Sequence, residues 1–442
     1  MTKKIDLERD SIFSLFVKFA IPSIISMLVI SLYTIIDGIF IARGVGSAAM
    51  AAVNIGYPIL TLGTSVSFML GIGGATLISF KKDDVEYQNK CFTHIIFLNL
   101  VIYFFIALLV FKFTNPLIYF LGGNDEILPL IKGYLYPCTG AALFLMLSLS
   151  LNAIVRNDGN PKKAMLSTVI GACINIVLDY IFIFKFNMGI EGGATATAIS
   201  QIVSALYLFT HFIGSTFKIE FNKKIDFHLT NSIILIGFPS FMLEFSAGVI
   251  AILLNIEFMK IGGVFAAASY SIVAYAFMFY RMLFLGLAQA GQPIISYNYG
   301  KQHLEKIKEA FKIAHKLTFI ISIVSLISVF TLSDNIIGIF TKDPTMLAAC
   351  TRGFILYSIS ISCLGFNCIN IAYLQAINEP LISVILSISR SFGFGAVAFI
   401  VFPDILSIDG VWLNLPFADF ATSIASVPFL KKFLSIKKYK LS

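Results

Sequence analysis

The sequence predicts an all-α integral membrane protein with twelve transmembrane helices in two pseudo-symmetric six-helix bundles. Its composition, a series of long apolar segments and an internal repeat support this prediction. Of the 442 residues, 58% are hydrophobic and only 13% are charged, whereas a soluble domain carries about 25% charged and 45–50% apolar residues. A chain of this composition belongs in a lipid bilayer.

The apolar segments have the length that a membrane crossing requires. A helix needs about 20 mostly apolar residues to span the hydrocarbon core. The polar intervals between the segments are about a dozen residues at most, so no soluble domain fits between them. The twelve predicted crossings lie at about 14–41, 50–79, 92–114, 131–154, 163–186, 191–216, 230–258, 264–298, 312–333, 350–376, 381–402 and 411–430.

Lysine and arginine residues predict the orientation of these helices. The termini and loops that share one side of the membrane carry 21 of them, against 7 on the opposite side. Because cytoplasmic loops carry the excess of positive charge, we expect a multi-pass protein of the inner (plasma) membrane with both termini in the cytoplasm. The net charge of +8 then reflects membrane topology, and no nucleic-acid partner is expected.

The two halves of the chain resemble each other at an offset of about 217 residues. AIPSIIS (20–26) aligns with GFPSFML (237–243), and RNDGNPKKAML (156–166) aligns with QAINEPLISVI (375–385) at an offset of 219. We therefore predict an N-terminal lobe with helices 1–6 (1–218), a cytoplasmic linker (219–229) and a C-terminal lobe with helices 7–12 (230–442). Such repeated halves are typical of transporters, and a duplicated channel or scaffold is the alternative.

Two acids interrupt apolar runs in the N-terminal half. Asp179 lies in NIVLDYIFIF (175–184) and Asp37 lies in SLYTIIDGIFIA (31–42). An acid at the centre of a membrane helix costs about 2.5–3.5 kcal/mol on insertion scales, so it persists where it faces a polar cavity or a partner. Asn175 and Tyr33 each precede one of these acids by four residues and therefore share its helix face.

The predicted topology brings these acids to similar depth. Helices 1 and 5 both run outward, and at about 1.5 Å per residue both carboxyl groups fall in the outer half of the bilayer. Thr197, on helix 6, would lie about two turns below the outer surface. Two acids in a low dielectric do not both ionise easily, which predicts a proton site. The alternatives are a Na⁺ site made by Asp37, Asn175, Asp179 and Thr197, or a static polar contact between helices.

The C-terminal half does not repeat these acids, since Leu254 and Ala398 occupy the corresponding positions. We therefore expect ion coupling mainly in the N-terminal lobe. Glu244 either forms a buried ion pair with Arg390 or Arg281 or attracts cations in a substrate cavity. The other candidates for that cavity are Gln289, Met242 and Met278.

The chain resembles the multidrug and toxic compound extrusion (MATE) transporters, in their bacterial branch with DinF-like and MepA-like members. The resemblance covers nearly the whole chain, and it depends on the order and spacing of several motifs. These motifs are IPSIISML with Pro22, LYTIIDGIFIARGVG with Asp37, LGIGGATLIS, IVRNDGNPKKAM, NIVLDYIFIF with Asp179, GIEGGATATAIS and QPIISYNYG.

The resemblance implies an efflux pump that exchanges Na⁺ or H⁺ for amphipathic, often cationic, drugs. It also implies a bend of helix 1 at Pro22, where proline removes a backbone hydrogen bond. The resemblance also assigns Asn152 to the ion-coupling network. Counted along its helix at about 1.5 Å per residue, Asn152 lies closer to the cytoplasm than the other residues of that network. The network of ion-coupling residues implied by the resemblance comprises Asp37, Asp179, Asn175, Thr197, Tyr33, Tyr134 and Asn152.

Relatives with a cation site in the C-terminal lobe use acids on helices 7 and 10. Glu244 matches the first of these, but helix 10 contains no acid, and Asn367 and Asn370 are its nearest polar substitutes.

We therefore expect a monomeric transporter in the lipid bilayer that acts on amphipathic small molecules and needs no cofactor. The coupling ion is H⁺ or Na⁺. One alternative is a flippase for lipid-linked oligosaccharides or lipids from the same superfamily. The other is a membrane enzyme, but the sequence shows no catalytic constellation, and its six cysteines and five histidines have no metal-ligand spacing.

Overall fold

The computed structural model describes residues 5–220 and 225–435, and helices make up most of both ranges. Residues 221–224 of the predicted linker lie outside the described residues. The same is true of Lys3, Lys4, Lys437, Lys438 and Lys440, which were counted for the orientation of the helices. The helices are α1 (Ile12–Gly44), α2 (Ser47–Phe80), α3 (Val85–Phe120), α4 (Leu128–Asn157), α5 (Pro161–Asp179), α6 (Gly189–Phe209), α7 (Phe227–Gly300), α8 (Leu304–Ile337), α9 (Pro344–Ser358), α10 (Ile361–Ala376), α11 (Pro380–Ile388), α12 (Gly395–Leu406), α13 (Ile408–Trp412) and α14 (Asn414–Leu434).

Local sequence signals set several of the helix starts. Asp84 and Asn160 precede α3 and α5, and their side chains accept hydrogen bonds from the backbone N–H groups of Tyr87 and Lys163. Such caps satisfy donors that a helix leaves without an intrahelical partner. Pro161 then occupies the first position of α5, where the missing N–H of proline costs nothing.

The helices account for twelve membrane crossings, which confirms the predicted number. Within residues 5–220 and 225–435, nine helices are long and apolar enough to cross a membrane. One of them, α7, is 74 residues long and breaks at Gly263, so it supplies two crossings. The bent pair of α9 and α10 adds another, and α14, which has 21 residues, lies at the place of the twelfth predicted crossing.

The break in α7 shows the internal repeat in the backbone. Gly263 has a φ of 65°, and its partner in the repeat, Gly46 between α1 and α2, has a φ of 117°. Side chains rarely allow such angles, whereas glycine does. Each half of the sequence therefore uses a glycine at the same place, after its first crossing.

Contacts between Cα atoms divide the chain into two compact units. Unit 1 contains residues 5–8 and 29–245, and unit 2 contains residues 9–28 and 246–435, so α1 and α7 each contribute to both. In unit 1, α4 packs against α2 and α6; in unit 2, α10 packs against α8, α11 and α14. The lobe boundaries at 218 and 230 stay predictions.

Two short π-helical segments interrupt the regular helices. Tyr180–Lys185 continues α5 in unit 1, and Ser389–Phe394 joins α11 to α12 in unit 2. A π-helical turn widens the backbone and is frequent at functional sites. A buried charged residue accompanies each segment, since Asp179 directly precedes the first and Arg390 lies within the second.

Candidate functional site

Unit 1 brings Asp37 of α1 and Asp179 of α5 together. Their carboxyl groups lie close enough to interact electrostatically. Asp179 has 0% exposure, and Asp37 is half-buried. Within the described part of the chain, both carboxyl oxygens of Asp179 and Oδ1 of Asp37 are buried without a hydrogen-bond partner. Buried polar atoms almost always have partners, so these oxygens are suited to an external one.

Asn175 and Thr197 form the neighbouring polar contact. The Asn175 amide donates a hydrogen bond to the Thr197 hydroxyl over 3.3 Å, which links α5 to α6. Asn175 lies one turn before Asp179, and both side chains are buried. Its carbonyl oxygen Oδ1 is also buried and unpaired among the described residues, so the unit contains a fourth acceptor of this kind near the acids.

Aromatic hydroxyl groups and a thiol surround the acids. Tyr33 lies within electrostatic range of both acids, and Tyr134 of α4 lies within range of Asp37. Tyr57 of α2 and Cys138 of α4 belong to the same cluster. Sequence reasoning missed these two.

A sequence signal was available for one of the two missed residues. Cys138 follows Tyr134 by four residues and shares its helix face, so it could have been found from that spacing. Tyr57 has no such relation to a residue already chosen, and only the packing of α2 against α4 brings it to the cluster.

Asn152 lies elsewhere in unit 1. Its amide donates to the backbone carbonyl of Ala164 over 2.9 Å, and Arg156 donates to its Oδ1 over 3.3 Å. Ala164 is on the first turn of α5, 11 residues before Asn175, which is about 16 Å along the helix. The structure therefore does not place Asn152 with the acid pair.

The cavity candidates are distributed over both units. Met242 and Glu244 of α7 belong to unit 1, where Met242 is buried and Glu244 half-buried. Gln289 and Met278 belong to unit 2, where the Gln289 amide contacts the sulfur of Met27 over 3.7 Å. A substrate cavity formed by these residues stays a prediction.

Pro22 lies in the part of α1 that belongs to unit 2, whereas Asp37 lies in the part that belongs to unit 1. The helix runs continuously through Pro22. Close by, the backbone of Ile24 approaches Gly286 of α7 so tightly that a Cβ at Gly286 would lie 2.7 Å from the Ile24 Cα. The predicted bend at Pro22 would therefore move a segment that is packed backbone to backbone.

Unit 2 contains a buried ion pair that differs from both pairs considered for Glu244. Arg390 donates from Nε to Oδ1 of Asp419 over 2.5 Å and from a terminal nitrogen to Oδ2 over 3.3 Å. The alternative in which Arg390 pairs with Glu244 is thus corrected, because the guanidinium of Arg390 binds Asp419. The signal in the sequence was an acid inside the last apolar segment, LPFADFATSIAS (415–426).

The two asparagines of α10 complete this polar region. Asn367 donates to Oδ1 of Asp419 over 3.0 Å and accepts from Ser423 over 2.8 Å. Asn370 donates to Ser426 over 3.1 Å, and its Oδ1 lies 2.9 Å from His315. Both asparagines therefore make structural contacts between helices.

The chemistry of the unit 1 cluster suits a small hard cation. Its unpaired atoms are carboxylate and amide oxygens. The carboxylates can bind H⁺, and both kinds of oxygen are hard ligands for Na⁺. Among residues 5–220 and 225–435, no group of three or more His, Cys, Asp or Glu side chains could hold a metal ion.

A membrane protein with duplicated six-helix halves and a pair of neighbouring acids in one of them has the architecture of a secondary transporter. The MatE family model matches residues 22–181 and 238–400, once in each half, so the chain belongs to the MatE family. The predicted family and its fold of two six-helix bundles are confirmed.

Proteins of similar sequence support the same family, and a solved structure supports the fold. The chain is 26% identical to the multidrug export protein MepA of Staphylococcus aureus (strain MRSA252) over 428 residues, covering 95% of this chain and 94% of that protein. It is also 26% identical to MepA of Staphylococcus saprophyticus over 443 residues, covering 98% and 97%. A crystal structure of a MATE transporter in complex with MaL6 matches with a TM-score of 0.92 at 24% identity, covering 98% and 99%.

Proposed function

We propose that the protein is a secondary active multidrug efflux transporter. It exchanges external H⁺ or Na⁺ for amphipathic, cationic drugs from the cytoplasm by alternating access. The similar proteins named multidrug export protein MepA support the export of drugs. The observation that carries the ion coupling is the pair of Asp37 and Asp179, whose buried oxygens have no partner in the described part of the chain.

The pair has a physical reason to bind a cation. Ionised carboxyl groups are costly in a low dielectric unless a proton, a cation or a positively charged side chain compensates them. An ion that enters from outside and leaves to the cytoplasm releases about 2.3 kcal/mol per charge for each 100 mV of membrane potential. A cationic drug that leaves costs the same amount for each charge. A one-for-one exchange is therefore driven by the concentration gradient of the ion, and each additional ion that enters adds the energy of the membrane potential.

Helix α1 is the element that would couple the ion to the drug. It carries Asp37 in unit 1 and Pro22 in unit 2. Proline leaves one backbone carbonyl of the helix without its usual N–H partner, which permits a bend. Binding of the ion at Asp37 would then favour one shape of α1, and release of the ion in the cytoplasm would favour the other.

The substrate class follows from the composition of the predicted cavity. Glu244 would attract a positive charge, and Met242 and Met278 would adapt to apolar parts of different shape. Phe238, Phe241 and Phe245 stack in series along α7, with ring centroids 5.6 Å and 5.3 Å apart. Aromatic faces attract cations as well as apolar surface. The transporter would work as a monomer in the plasma membrane, with both termini in the cytoplasm.

The test is ethidium efflux from proteoliposomes in which a Na⁺ gradient and a pH gradient are imposed separately. We expect at least one gradient to drive efflux, and we expect Asp37→Asn and Asp179→Asn each to abolish that efflux. Asp83→Asn, which changes an exposed acid in the loop between α2 and α3, serves as the control. Full efflux by both variants at matched protein content would refute the proposal. Movement of a lipid-linked oligosaccharide across the bilayer without dye efflux would indicate a flippase.

A further inference from the structure

The buried charges of the two units both lie on the fifth crossing of their half, although Arg390 precedes Ala398, the repeat counterpart of Asp179, by eight residues. Asp179 directly precedes the π-helical segment Tyr180–Lys185, and Arg390 lies inside the π-helical segment Ser389–Phe394. Both segments interrupt the fifth crossing of their half. In each unit the fifth crossing then contacts the sixth, through Asn175 and Thr197 in unit 1 and through Arg390 and Asp419 in unit 2.

The surroundings of the two buried acids differ in their donors. Asp419 has 0% exposure and Arg390 has 8%. Oδ1 of Asp419 accepts from Arg390 and from Asn367, and Oδ2 accepts from Arg390. Both carboxyl oxygens of Asp179 are instead unpaired within the described residues. A full positive charge thus lies beside the acid of unit 2, inside the protein.

The other ionisable groups near this pair come from three neighbouring helices. Cys368 of α10 and Tyr357 of α9 lie within electrostatic range of Arg390. Tyr357 lies in turn within range of Asp419 and of Arg281 on α7. The groups in contact with the carboxyl group of Asp419 are the guanidinium of Arg390 and the amide of Asn367, so its charge is compensated mainly by Arg390.

We propose that Arg390 is a permanent counter-cation in unit 2, and that Asp419, Asn367 and Ser423 would become a site for H⁺ or Na⁺ if the guanidinium were absent. The guanidinium is covalently attached and cannot leave during transport. Unit 2 therefore adds no exchangeable ion to the cycle, and ions are bound and released at the acid pair of unit 1. This inference deepens the proposed function and rests on it.

The chemistry of the residues left behind supports this conversion. Without the guanidinium, the carboxylate of Asp419 would be fully buried with one amide donor from Asn367. A buried carboxylate that loses its cation takes up a proton or another cation, since both relieve the cost of burying a charge. The carboxylate oxygens of Asp419 and the side-chain oxygens of Asn367 and Ser423 are hard ligands of the type that Na⁺ prefers.

The experiment uses the full-length protein and measures its thermal unfolding midpoint against Na⁺ concentration and pH. The starting variant carries Asp37→Asn and Asp179→Asn, so that the acid pair of unit 1 cannot respond. We expect Arg390→Gln in this background to lower the midpoint at alkaline pH and low Na⁺. Acid or Na⁺ should then raise the midpoint again, more than it does in the starting variant.

Two matched variants separate charge from shape. Arg390→Lys keeps a positive charge, and we expect it to respond to Na⁺ and pH as the starting variant does. Arg390→Gln combined with Asp419→Asn removes both charges, and we expect it to lose the new ion response and to fold at low Na⁺. In the background with both unit 1 acids intact, Arg390→Gln should make efflux depend more steeply on the coupling ion.

The proposal is overturned if Arg390→Gln shows no new response to either ion, or if its response persists after Asp419→Asn. It is equally overturned if the doubly neutral variant fails to fold, because the pair would then be needed for its shape. The proposal is supported if the Arg390→Gln variant fails to fold and the addition of Asp419→Asn restores its folding. Failure of the proposed function would appear separately, as the absence of gradient-driven efflux by the unmodified protein. The unfolding experiment would still test the role of Arg390, because it does not depend on transport.

Discussion

Two acids with equal burial, Asp179 in unit 1 and Asp419 in unit 2, differ in their partners. Both have 0% exposure, and both lie on helices that cross the membrane. Asp419 receives hydrogen bonds from a guanidinium and an amide, whereas the oxygens of Asp179 are unpaired among the described residues and face the acid Asp37. The number of internal donors, more than burial, therefore distinguishes a structural acid from a candidate ion site.

The energetic consequences of the two arrangements are opposite. Removing one partner of a buried ion pair leaves an uncompensated charge, which is more costly than the pair itself. Removing the charge of an acid that has no internal partner removes the free-energy cost of burying that charge. Substitutions of the same chemical type should thus have opposite effects in the two units.

The largest effect is expected from Asp419→Asn. This change leaves the buried guanidinium of Arg390 without its counter-charge, and we expect a loss of about 3–5 kcal/mol in the free energy of unfolding. Asp179→Asn should leave the free energy of unfolding unchanged or raise it, because the amide no longer brings a charge beside Asp37. Thermal or chemical unfolding of the purified protein in detergent at low Na⁺ measures both.

The contrast between the units would be wrong if Asp179→Asn lowered the free energy of unfolding more than Asp419→Asn does. A destabilised Asp179→Asn protein would mean that a partner inside the protein holds this carboxylate. A fully stable Asp419→Asn protein would mean that Arg390 does not depend on it. Glu305→Gln, at the exposed first turn of α8, provides a control for the removal of an acid.

A smaller effect is expected at the hydrogen bond between α5 and α6. Thr197→Val keeps the shape of the side chain but removes the hydroxyl that accepts from Asn175 over 3.3 Å. One hydrogen bond contributes about 0.5–1.5 kcal/mol, so we expect the coupling-ion concentration for half-maximal efflux to rise about two- to tenfold.

Thr195→Val is the matched control for this substitution. The Thr195 hydroxyl donates to the backbone carbonyl of Glu191 over 2.7 Å within α6, and we expect its removal to leave the ion dependence unchanged. If Thr197→Val also leaves the ion dependence unchanged, the contact between Asn175 and Thr197 does not contribute to ion binding, and the cluster shrinks to the two acids and the hydroxyl groups beside them.

The sequence predicts the crossings well because each depends on local apolar length. It also predicts Asn175 beside Thr197, because helical spacing and equal depth select both residues. It does not reveal Asp419 as the partner of Arg390, since the two are 29 positions apart and only the packing of α14 against the π-helical segment joins them. Tyr57 was missed for the same reason. Local periodicity identifies a helix face but not the helix that it meets.

The smallest effect on the ion dependence of efflux is expected from Asn152→Ala, which tests the limit of the family resemblance. The resemblance assigns Asn152 to the ion-coupling network, whereas its amide bonds to Ala164 at the other end of α5. The substitution removes this hydrogen bond and also the one that Asn152 accepts from the buried Arg156. It should lower the free energy of unfolding by about 2–4 kcal/mol and leave the ion dependence of efflux unchanged. Asn175→Ala is the matched variant, and it should weaken ion dependence more than stability. If Asn152→Ala shifts the ion dependence as far as Asn175→Ala does, then the ion-binding region extends along the whole of α5, and the cluster around the two acids is only its outer part.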